Sequence, residues 1–280
     1  FEEIERFARI CVDRYGVRSI RLTGGEPTVR AHLSRLVARL SALGVDLSMT
    51  TNGATLKLVA HDLATAGLSR LNISLDSLRS DRFRELTRRD RLQGVLEGID
   101  AAVDAGISPV KVNVVVMRGI NDDEVVDFAT FGRERGVTVR FIEFMPLDAD
   151  ERWSSARVVP SAEILAAIRE VYPVQSLQRG SAPASQYSYC DGGGQFGLIS
   201  SVSEPFCDTC DRVRLTSEGQ FRNCLFSLEE SDMRALMRSG ADDDVIAAAI
   251  EKSVGAKWAG HAIGSALFIR PRRSMSQIGG

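Results

Sequence analysis

The 280-residue sequence has no strong excess of charge of either sign. Its 35 basic and 37 acidic residues leave a formal net charge of −2. Proteins that bind nucleic acid or anionic membranes usually carry a clear positive excess, so neither partner is expected here. Long apolar runs are also missing, because no segment approaches the roughly 18 residues of a membrane-spanning helix. These absences predict a soluble, cytoplasmic protein.

Cysteine is scarce and odd in number, which argues against a framework of disulfides. The cysteines are Cys11, Cys190, Cys207, Cys210 and Cys224. The last three lie close together in sequence, and in a cytosolic chain such a group favours metal ligation. Three thiolates suit a [4Fe–4S] cluster that keeps one iron open for a small molecule, whereas structural zinc normally takes four ligands.

Spacing alone supports an iron–sulfur cluster and a zinc site about equally. A zinc site would need Cys190 or His261 as its fourth ligand. Three buried thiols without any metal are the remaining alternative.

A unit of helix, glycine and strand repeats through the first half of the sequence. Each predicted helix has apolar residues at helical spacing, ends at a glycine and is followed by an apolar strand. The helices end at Gly16, Gly44, Gly67, Gly106 and Gly136. The strands are predicted at 19–23, 46–50, 70–75, 110–116 and 138–144. This repetition predicts a parallel sheet with right-handed crossovers. Such a sheet would form most of a partial α/β barrel.

The repeat stops after Pro146. Because the sequence starts with a helix, we expect the first barrel strand upstream of Phe1. Beyond the repeat, the pattern predicts a helix from Ser161 to Val171 capped by Ser161, a hairpin over 186–200 and a helix over 242–253.

Polar or glycine-rich segments follow four of the predicted strands. They are Gly24-Gly25-Glu26-Pro27, Thr50-Thr51-Asn52-Gly53, Ser74-Leu75-Asp76 and Glu143-Phe144-Met145. In α/β barrels the ends of the strands form the rim that carries binding residues. The paired glycines permit close approach of a ligand, and a carboxylate at Glu26 needs an amine or several donors. An ordinary turn is the alternative for the first segment, and an Asx turn for the second.

Two pairs of cations have unusual positions. Lys111 and Arg140 lie inside apolar strands, where a charge needs a partner or a cavity, so we predict that both line a cavity. Arg212 and Arg214 alternate beside the cysteines, and two guanidiniums on one side of an extended segment suit a polyphosphate. A solvated strand face is the alternative for this pair. Charge runs at 88–91 and 270–273 are predicted to be solvated surface.

Taken in order, the motifs resemble those of the GTP 3′,8-cyclases, and the resemblance extends from Phe1 to Gly280. The motifs are GGEP at 24–27, TTNG at 50–53, NISLD at 72–76, KVNVV at 111–115, RFIEFM at 140–145, Cys-x-x-Cys-x-Arg-x-Arg…Cys at 207–224, and the tail Gly279-Gly280. These cyclases are radical S-adenosylmethionine enzymes that open molybdenum-cofactor biosynthesis. GGEP alone is generic to radical S-adenosylmethionine enzymes, whereas the cysteine and arginine signature with the tail is more specific.

The resemblance implies a partial (αβ)6 TIM-type barrel over 1–148, without its first strand, and a C-terminal region over 149–280 with an auxiliary [4Fe–4S] cluster and a GTP site. It implies conversion of GTP to (8S)-3′,8-cyclo-7,8-dihydroguanosine 5′-triphosphate. In the family, a first cluster reduces S-adenosylmethionine and so generates a 5′-deoxyadenosyl radical. This radical removes the ribose 3′ hydrogen, and the carbon radical left on the ribose then attacks guanine C8.

The resemblance also implies roles for individual residues. S-adenosylmethionine would be bound by Gly24, Gly25, Glu26, Ser74 and Met145. GTP would be bound by Arg21, Thr50, Lys111, Arg212 and Arg214, with Arg212 and Arg214 also assigned to catalysis. Cys207, Cys210 and Cys224 would hold the auxiliary cluster, whose free iron takes the guanine ring. Further implied partners are an electron donor and pyranopterin monophosphate synthase as the next enzyme, in a bacterial cytoplasm, and a homodimer is compatible with the resemblance.

The sequence departs from the family at the first cluster, because it contains no Cys-x-x-x-Cys-x-x-Cys motif. We expect these ligands for a second [4Fe–4S] cluster upstream of Phe1, and we expect the chain as given to be inactive without them. Two alternatives remain open. One is another radical S-adenosylmethionine enzyme with an auxiliary cluster, such as a peptide-modifying one, and the other is an inactive nucleotide-binding or zinc-binding fragment.

Overall fold

The computed structural model describes residues 1–148, 152–178, 182–258, 260–265 and 268–278. The first half contains α1 (Glu2–Tyr15), β1 (Ser19–Leu22), α2 (Leu33–Ser41), β2 (Asp46–Thr51), α3 (Ala60–Thr65), β3 (Arg70–Ser74), α4 (Ser80–Thr87), α5 (Leu92–Asp104), β4 (Val110–Val116), α6 (Val125–Arg135) and β5 (Thr138–Glu143). The second half contains α7 (Ser161–Val171), β6 (Val174–Ser176), β7 (Ser185–Tyr189), β8 (Gln195–Ile199), β9 (Arg214–Leu215), β10 (Gln220–Arg222), β11 (Ser231–Asp232), α8 (Met233–Arg238) and α9 (Asp243–Gly255).

The predicted parallel sheet is confirmed. Its strand order is β1-β2-β3-β4-β5-β8-β7-β6, and every neighbouring pair from β1 to β8 in this order is parallel. The predicted hairpin is β7 and β8, and it extends the sheet by antiparallel pairing. The sheet is therefore continuous across residue 148, because β8 pairs directly with β5. A mostly parallel sheet with helices between its strands agrees with a partial TIM-type barrel.

Strand β4 shows why one face of the sheet is polar. Its residues alternate strictly between buried and half-buried along the strand. Val110, Val112 and Val114 are at most 4% exposed and belong to the main hydrophobic core. Side chains alternate between the two faces of a strand, so Lys111 and Asn113 lie on the other face. The same alternation that buries the valines places a cation and an amide on the inner surface of the barrel.

The prediction that Ser161 caps α7 was wrong. Pro160 occupies the cap position without a side-chain hydrogen bond, and Ser161 is the first helical residue. The backbone N–H of Ser161 donates instead to Oε1 of Glu143 over 2.8 Å. A carboxylate from the end of β5 thus provides the acceptor that a helix start needs. Helix α4 was not predicted from the sequence.

The C-terminal region packs against the first helix of the chain. A second core cluster joins Phe7 and Ile10 of α1 to Phe221 of β10 and Ile246 of α9. The rings of Phe7 and Phe221 lie 6.0 Å apart. This contact fixes the small sheet β11-β10-β9 beside the barrel.

The run 270–273 is not simply solvated surface, contrary to the prediction. Arg273 forms ion pairs with Glu218 and Glu230, and Arg270 is paired with Asp148. The Arg270 pair holds the end of the described chain against the end of the barrel segment, and the Arg273 pairs hold it against the C-terminal region. The predicted tail motif Gly279-Gly280 lies outside the described residues.

Candidate functional site

The first three strands of the sheet align two arginines across one serine. Arg21 on β1 is in register with Ser48 on β2, and Ser48 is in register with Arg70 on β3. Nε of Arg21 donates a hydrogen bond of 3.4 Å to Oγ of Ser48. Arg70 is the first residue of β3, so this row lies toward the amino-terminal ends of the strands.

A second row of polar residues crosses four strands. Thr50, Asn72, Lys111 and Thr138 are in register from β2 to β5. Nδ2 of Asn72 donates to the carbonyl of Met49 over 3.2 Å and to Oγ1 of Thr50 over 3.4 Å. The structure therefore brings the sequence-predicted Thr50 and Lys111 onto one row, with Asn72 between them.

Arg140 lies in a third row, opposite Asn113 on β4 and Gly197 on β8. It is 7% exposed. Its Nε donates to Oδ1 of Asn113 over 2.9 Å, and its Nη2 donates to Oδ1 of Asn72 over 2.5 Å. A β-carbon at Gly197 would lie 3.3 Å from Cγ of Arg140, so glycine on β8 leaves room for the arginine.

These rows surround a cavity of about 320 Å³. Its lining residues are Arg21, Arg70, Pro109, Lys111, Thr138, Arg140, Ala182, Pro183, Ala184, Gln186, Gln195, Phe196 and Gly197. The prediction that Lys111 and Arg140 line a cavity is confirmed. None of these described lining residues is acidic.

The cavity carries more positive than negative charge. Arg70 forms a bidentate ion pair with Asp46. Nε of Arg70 donates to Oδ1 of Asp46 over 2.9 Å, and Nη2 donates to Oδ2. Within the described ranges, Arg21, Lys111 and Arg140 are not paired with any carboxylate. Clustered cations without counter-charges attract an anionic ligand.

The pKa values of the cavity cations show the same imbalance. Burial, followed by the charges of Arg140, Arg70 and Arg21, lowers the pKa of Lys111 to about 8. Burial, followed by Arg21 and Arg70, lowers the pKa of Arg140 to about 9. A bound anion would reverse both effects, because it stabilises the protonated forms.

At the opposite ends of the strands, the GGEP turn is joined to the TTNG turn. Oε1 of Glu26 accepts hydrogen bonds from the N–H and hydroxyl of Thr28 at 3.0 and 2.6 Å and from the hydroxyl of Thr51 at 2.6 Å. Its Oε2 accepts from the N–H of Asn52 at 2.7 Å. The several donors that a carboxylate needs there are thus supplied by the protein. Oδ1 of Asn52 accepts from the N–H of Ala54 at 3.0 Å, which is an Asx turn.

The residues predicted to contact S-adenosylmethionine lie at this rim. Gly24 has φ 114°, a backbone conformation that favours glycine, and Gly25 is exposed beside it. Ser74 is an exposed residue at the end of β3, and Met145 follows β5 and packs near Leu147. Three separate strand ends therefore supply this group of residues.

Arg212 and Arg214 lie on the C-terminal region and are electrostatically coupled to the barrel. Both are half-buried, whereas Val213 between them is exposed, so the predicted alternation is present. The charge of Arg212 contributes, after burial, to a lowered pKa of Arg21 in the cavity. Burial, then the charge of Arg212, lowers the pKa of Arg214 to about 10. The arginine pair thus belongs to the same cationic environment as the cavity.

The three clustered cysteines flank this arginine pair in the sequence. Cys207, Cys210 and Cys224 are free thiols and half-buried. Cys210 and Cys224 both act on the pKa of Arg214 in the direction expected for nearby thiolates. Burial raises the pKa of Cys210, but the N–H and charge of Arg212 outweigh it and lower the pKa overall. This donor chemistry fits thiolate ligation.

The described residues do not form a ready-made metal site. No group of three or more His, Cys, Asp or Glu side chains within them is placed to hold a metal ion. Cys190 is exposed, and Nε2 of His261 is bonded to the carbonyl of Ser201 at 2.9 Å. The structure therefore brings neither of the predicted alternative fourth ligands into a metal site with the other cysteines.

Comparison with known proteins agrees with this arrangement. Residues 1–132 match the family model described as Radical SAM superfamily, and residues 137–263 match Molybdenum Cofactor Synthesis C. A GTP 3′,8-cyclase of Rhodopirellula baltica is 47% identical over 288 aligned residues, which cover 100% of this chain and 80% of the relative. A GTP 3′,8-cyclase of Streptomyces coelicolor is 46% identical over 100% of this chain and 83% of its own. The chain belongs to the GTP 3′,8-cyclase family.

Solved structures support the fold of this family member. SuiB of Streptococcus suis bound to S-adenosylmethionine matches 60% of the cyclase-family chain and 39% of its own chain, with a TM-score of 0.51 and 20% identity. At this identity the similarity concerns the fold alone. None of the described helices is both long and apolar enough to cross a membrane.

Several site residues of this cyclase-family chain were missed by sequence reasoning. Arg70, Asn72 and Asn113 join the cavity or hold its cations. Trp153 donates its indole N–H to the carbonyl of Phe144 over 2.8 Å, next to the predicted ligand Met145. The signal for Asn72 and Asn113 was present, because each is a polar residue among apolar neighbours in a strand.

Proposed function

We propose that the protein converts GTP to (8S)-3′,8-cyclo-7,8-dihydroguanosine 5′-triphosphate, the radical S-adenosylmethionine step that opens molybdenum-cofactor biosynthesis. The observation that carries this proposal is the cavity in which Arg21, Lys111 and Arg140 have no carboxylate partner among the described residues. Such a cavity suits the polyphosphate of a nucleotide. Family membership supplies the reaction.

In this proposal, GTP lies between the barrel cavity and the C-terminal region. Arg21 and Lys111 bind phosphate oxygens, and Thr50 contributes a hydroxyl from the row that contains Lys111. Arg212 and Arg214 act at the other side of the nucleotide and are the catalytic pair that orients it. The electrostatic coupling of Arg212 to Arg21 supports a single ligand that contacts both regions.

S-adenosylmethionine is proposed at the rim, against Gly24, Gly25, Glu26, Ser74 and Met145. The bonded turns of Glu26 and Thr51 hold this rim in place without the ligand. Because the hydrogen bonds that described residues donate to Glu26 come from neutral groups, its charge remains available to an ammonium group.

An auxiliary [4Fe–4S] cluster is proposed on Cys207, Cys210 and Cys224, and another cluster on cysteines that this sequence does not contain. When bound, the second of these supplies, with S-adenosylmethionine, the radical that abstracts hydrogen. The residues of this chain orient the nucleotide and exclude water. We propose residues 1–148 as the radical S-adenosylmethionine part of the barrel and residues 149–280 as the region that adds strand β8 to its sheet, holds the auxiliary cluster and completes the GTP site with Arg212 and Arg214.

The remaining parts of the proposal concern the surroundings of the enzyme. A bacterial cytoplasm is the proposed location, with an external electron donor. Pyranopterin monophosphate synthase is the proposed next enzyme, and the protein is proposed to act as a homodimer. We propose neither nucleic acid nor a membrane as a partner, because the net charge of −2 is close to neutral and these partners attract basic proteins.

The test is an anaerobic assay of the natural full-length protein, reconstituted with iron and sulfide. Incubation with GTP, S-adenosylmethionine and a reductant is expected to give the cyclised nucleotide, detected by mass spectrometry, with deuterium from the ribose 3′ position in 5′-deoxyadenosine. Arg212→Ala is expected to weaken GTP binding about tenfold or more, because a charge-assisted contact is lost. Arg35→Ala, on the exposed surface of α2, is the matched control. Unchanged GTP binding in the Arg212 variant would remove that residue from the site.

A further inference from the structure

We propose that Asn72 and Asn113 are positioning residues that hold Arg140 with neutral acceptors and so reserve its charge for the polyphosphate of the substrate. The inference rests on the proposed GTP site and deepens it. It assigns the specificity of the cavity for polyphosphate partly to two residues that carry no charge themselves.

The geometry of Arg140 is fixed from two directions. Nε donates to Oδ1 of Asn113 over 2.9 Å, and Nη2 donates to Oδ1 of Asn72 over 2.5 Å. The orientation of the Asn72 amide is defined independently, because its Nδ2 donates to the carbonyl of Met49. The guanidinium therefore has a set position in the cavity before any ligand binds.

Neutral acceptors are an unusual choice for a buried arginine. A buried charge is normally paired, because desolvation costs several kcal/mol per ion. The same chain follows this rule elsewhere, since Arg222 is 3% exposed and pairs with Glu230 over 2.5 Å. Arg140 is 7% exposed, yet both of its described hydrogen-bond acceptors are amides. The hydrogen bonds of Arg140 are therefore made, but its positive charge has no counter-charge among the described residues.

The neighbours of Arg140 indicate which anion compensates this charge. Arg21, Arg70 and Lys111 line the same cavity, and among them only Arg70 forms an ion pair with Asp46, the one described carboxylate whose charge acts on these cations. A single carboxylate ligand would leave most of this excess charge unbalanced. A polyphosphate has several anionic oxygens and matches the cluster of cations.

The test replaces amide with carboxylate at almost constant shape. Asn113→Asp places a negative charge beside Nε of Arg140, and Asn113→Ala removes the acceptor without adding charge. The probes are inorganic tripolyphosphate, GTP and S-adenosylmethionine, titrated calorimetrically into the full chain. We expect Asn113→Asp to weaken tripolyphosphate and GTP binding about tenfold or more, and Asn113→Ala to weaken both less. The melting temperature of the Asp variant is expected to stay level or rise, because Arg140 gains a counter-charge.

Lys252→Gln is the matched control, since it lowers the net charge equally at an exposed position on α9. Equal binding of tripolyphosphate by Asn113→Asp and the unmodified protein would overturn the inference, as would equal losses in the Asp and Ala variants. A loss confined to S-adenosylmethionine would assign Arg140 to that ligand's carboxylate and also overturn it. If the unmodified protein binds tripolyphosphate but not GTP, the proposed function fails separately.

Discussion

The carboxylate of Glu143 accepts three hydrogen bonds from the loop after β8, two of them from Ser203. The N–H of Ser203 donates to Oε2 over 2.8 Å, its hydroxyl donates to Oε1 over 2.5 Å, and the N–H of Val202 also donates to Oε2 over 2.8 Å. Glu143 is fully buried at the end of β5. It therefore ties the barrel to the segment that leads to Cys207.

Replacing Glu143 with glutamine is expected to destabilise the fold by about 2–4 kcal/mol, because a buried NH₂ group would then face N–H donors. The measurement is chemical unfolding in urea. Glu163→Gln is the control, since Glu163 forms an exposed pair with Arg118 that is worth at most about 1 kcal/mol. Equal stability of the two variants would contradict the role given to Glu143.

Asp76 is expected to make stability depend on pH. Burial raises its pKa from 3.8 to about 6, although a hydrogen bond from the N–H of Val115 acts in the opposite direction. The folded protein thus holds this proton more tightly than the unfolded chain does. Its stabilising contribution is present below pH 3.8 and is lost as the pH rises through about 6.

Asp76→Asn should therefore be more stable than the unmodified protein at pH 7, by about 1–3 kcal/mol, and the advantage should shrink toward pH 4. Asparagine can still accept the bond from Val115. Urea unfolding at several pH values provides the comparison. A constant difference between the two proteins from pH 4 to pH 7 would show that Asp76 does not titrate in this range.

Lys111 is expected to make GTP binding depend on pH above neutrality. Its pKa is lowered to about 8, so the side chain is mostly charged at pH 7 and mostly neutral at pH 9. Affinity for GTP should fall as the pH rises through this range. Lys111→Arg should retain affinity at pH 9 because arginine stays protonated, whereas Lys111→Ala should bind about tenfold more weakly at pH 7. Calorimetric titration at both pH values measures the effect, and parallel pH profiles for all three proteins would exclude Lys111 from the site.

The cysteine assignment predicts a defined iron content. Anaerobic reconstitution of the chain with iron and sulfide should give about four irons per molecule. Serine at Cys207, Cys210 or Cys224 should reduce this content strongly, whereas serine at Cys11 or Cys190 should not. Iron analysis and the visible absorption spectrum measure the outcome. Zinc in place of iron in anaerobically purified protein would overturn the cluster assignment.

The repeated helices and strands could be predicted because each carries its own local signal. Gly16 ends α1 with φ 63°, a conformation that glycine adopts readily, and β4 alternates as its sequence does. Contacts between residues far apart in sequence were harder to predict. Ser161 does not cap α7, because the carbonyl of Pro160 accepts from the N–H groups of Glu163 and Ile164 that a capping hydroxyl would have bound. The distant carboxylate of Glu143 accepts from the N–H of Ser161 itself, and no local pattern in the sequence indicates that contact.

The candidate site was predictable in part for the same reason. Lys111 and Arg140 were identified as cavity residues because each is a charge in an apolar strand. Arg70 was missed because it is the first residue of its strand, where an arginine would ordinarily be solvated. Only the register of β1, β2 and β3 places it on the same row as Arg21, with Ser48 between them.

The packing of α1 against β10 and α9 has a consequence for synthesis of the chain. The partners of Phe7 and Ile10, Phe221 and Ile246, leave the ribosome more than 200 residues after them. Until then, the outer face of α1 has nothing to pack against in this second core. A ribosome that stalls before Phe221 and Ile246 are made would release a product with an exposed apolar helix, which is a target for chaperones and proteases.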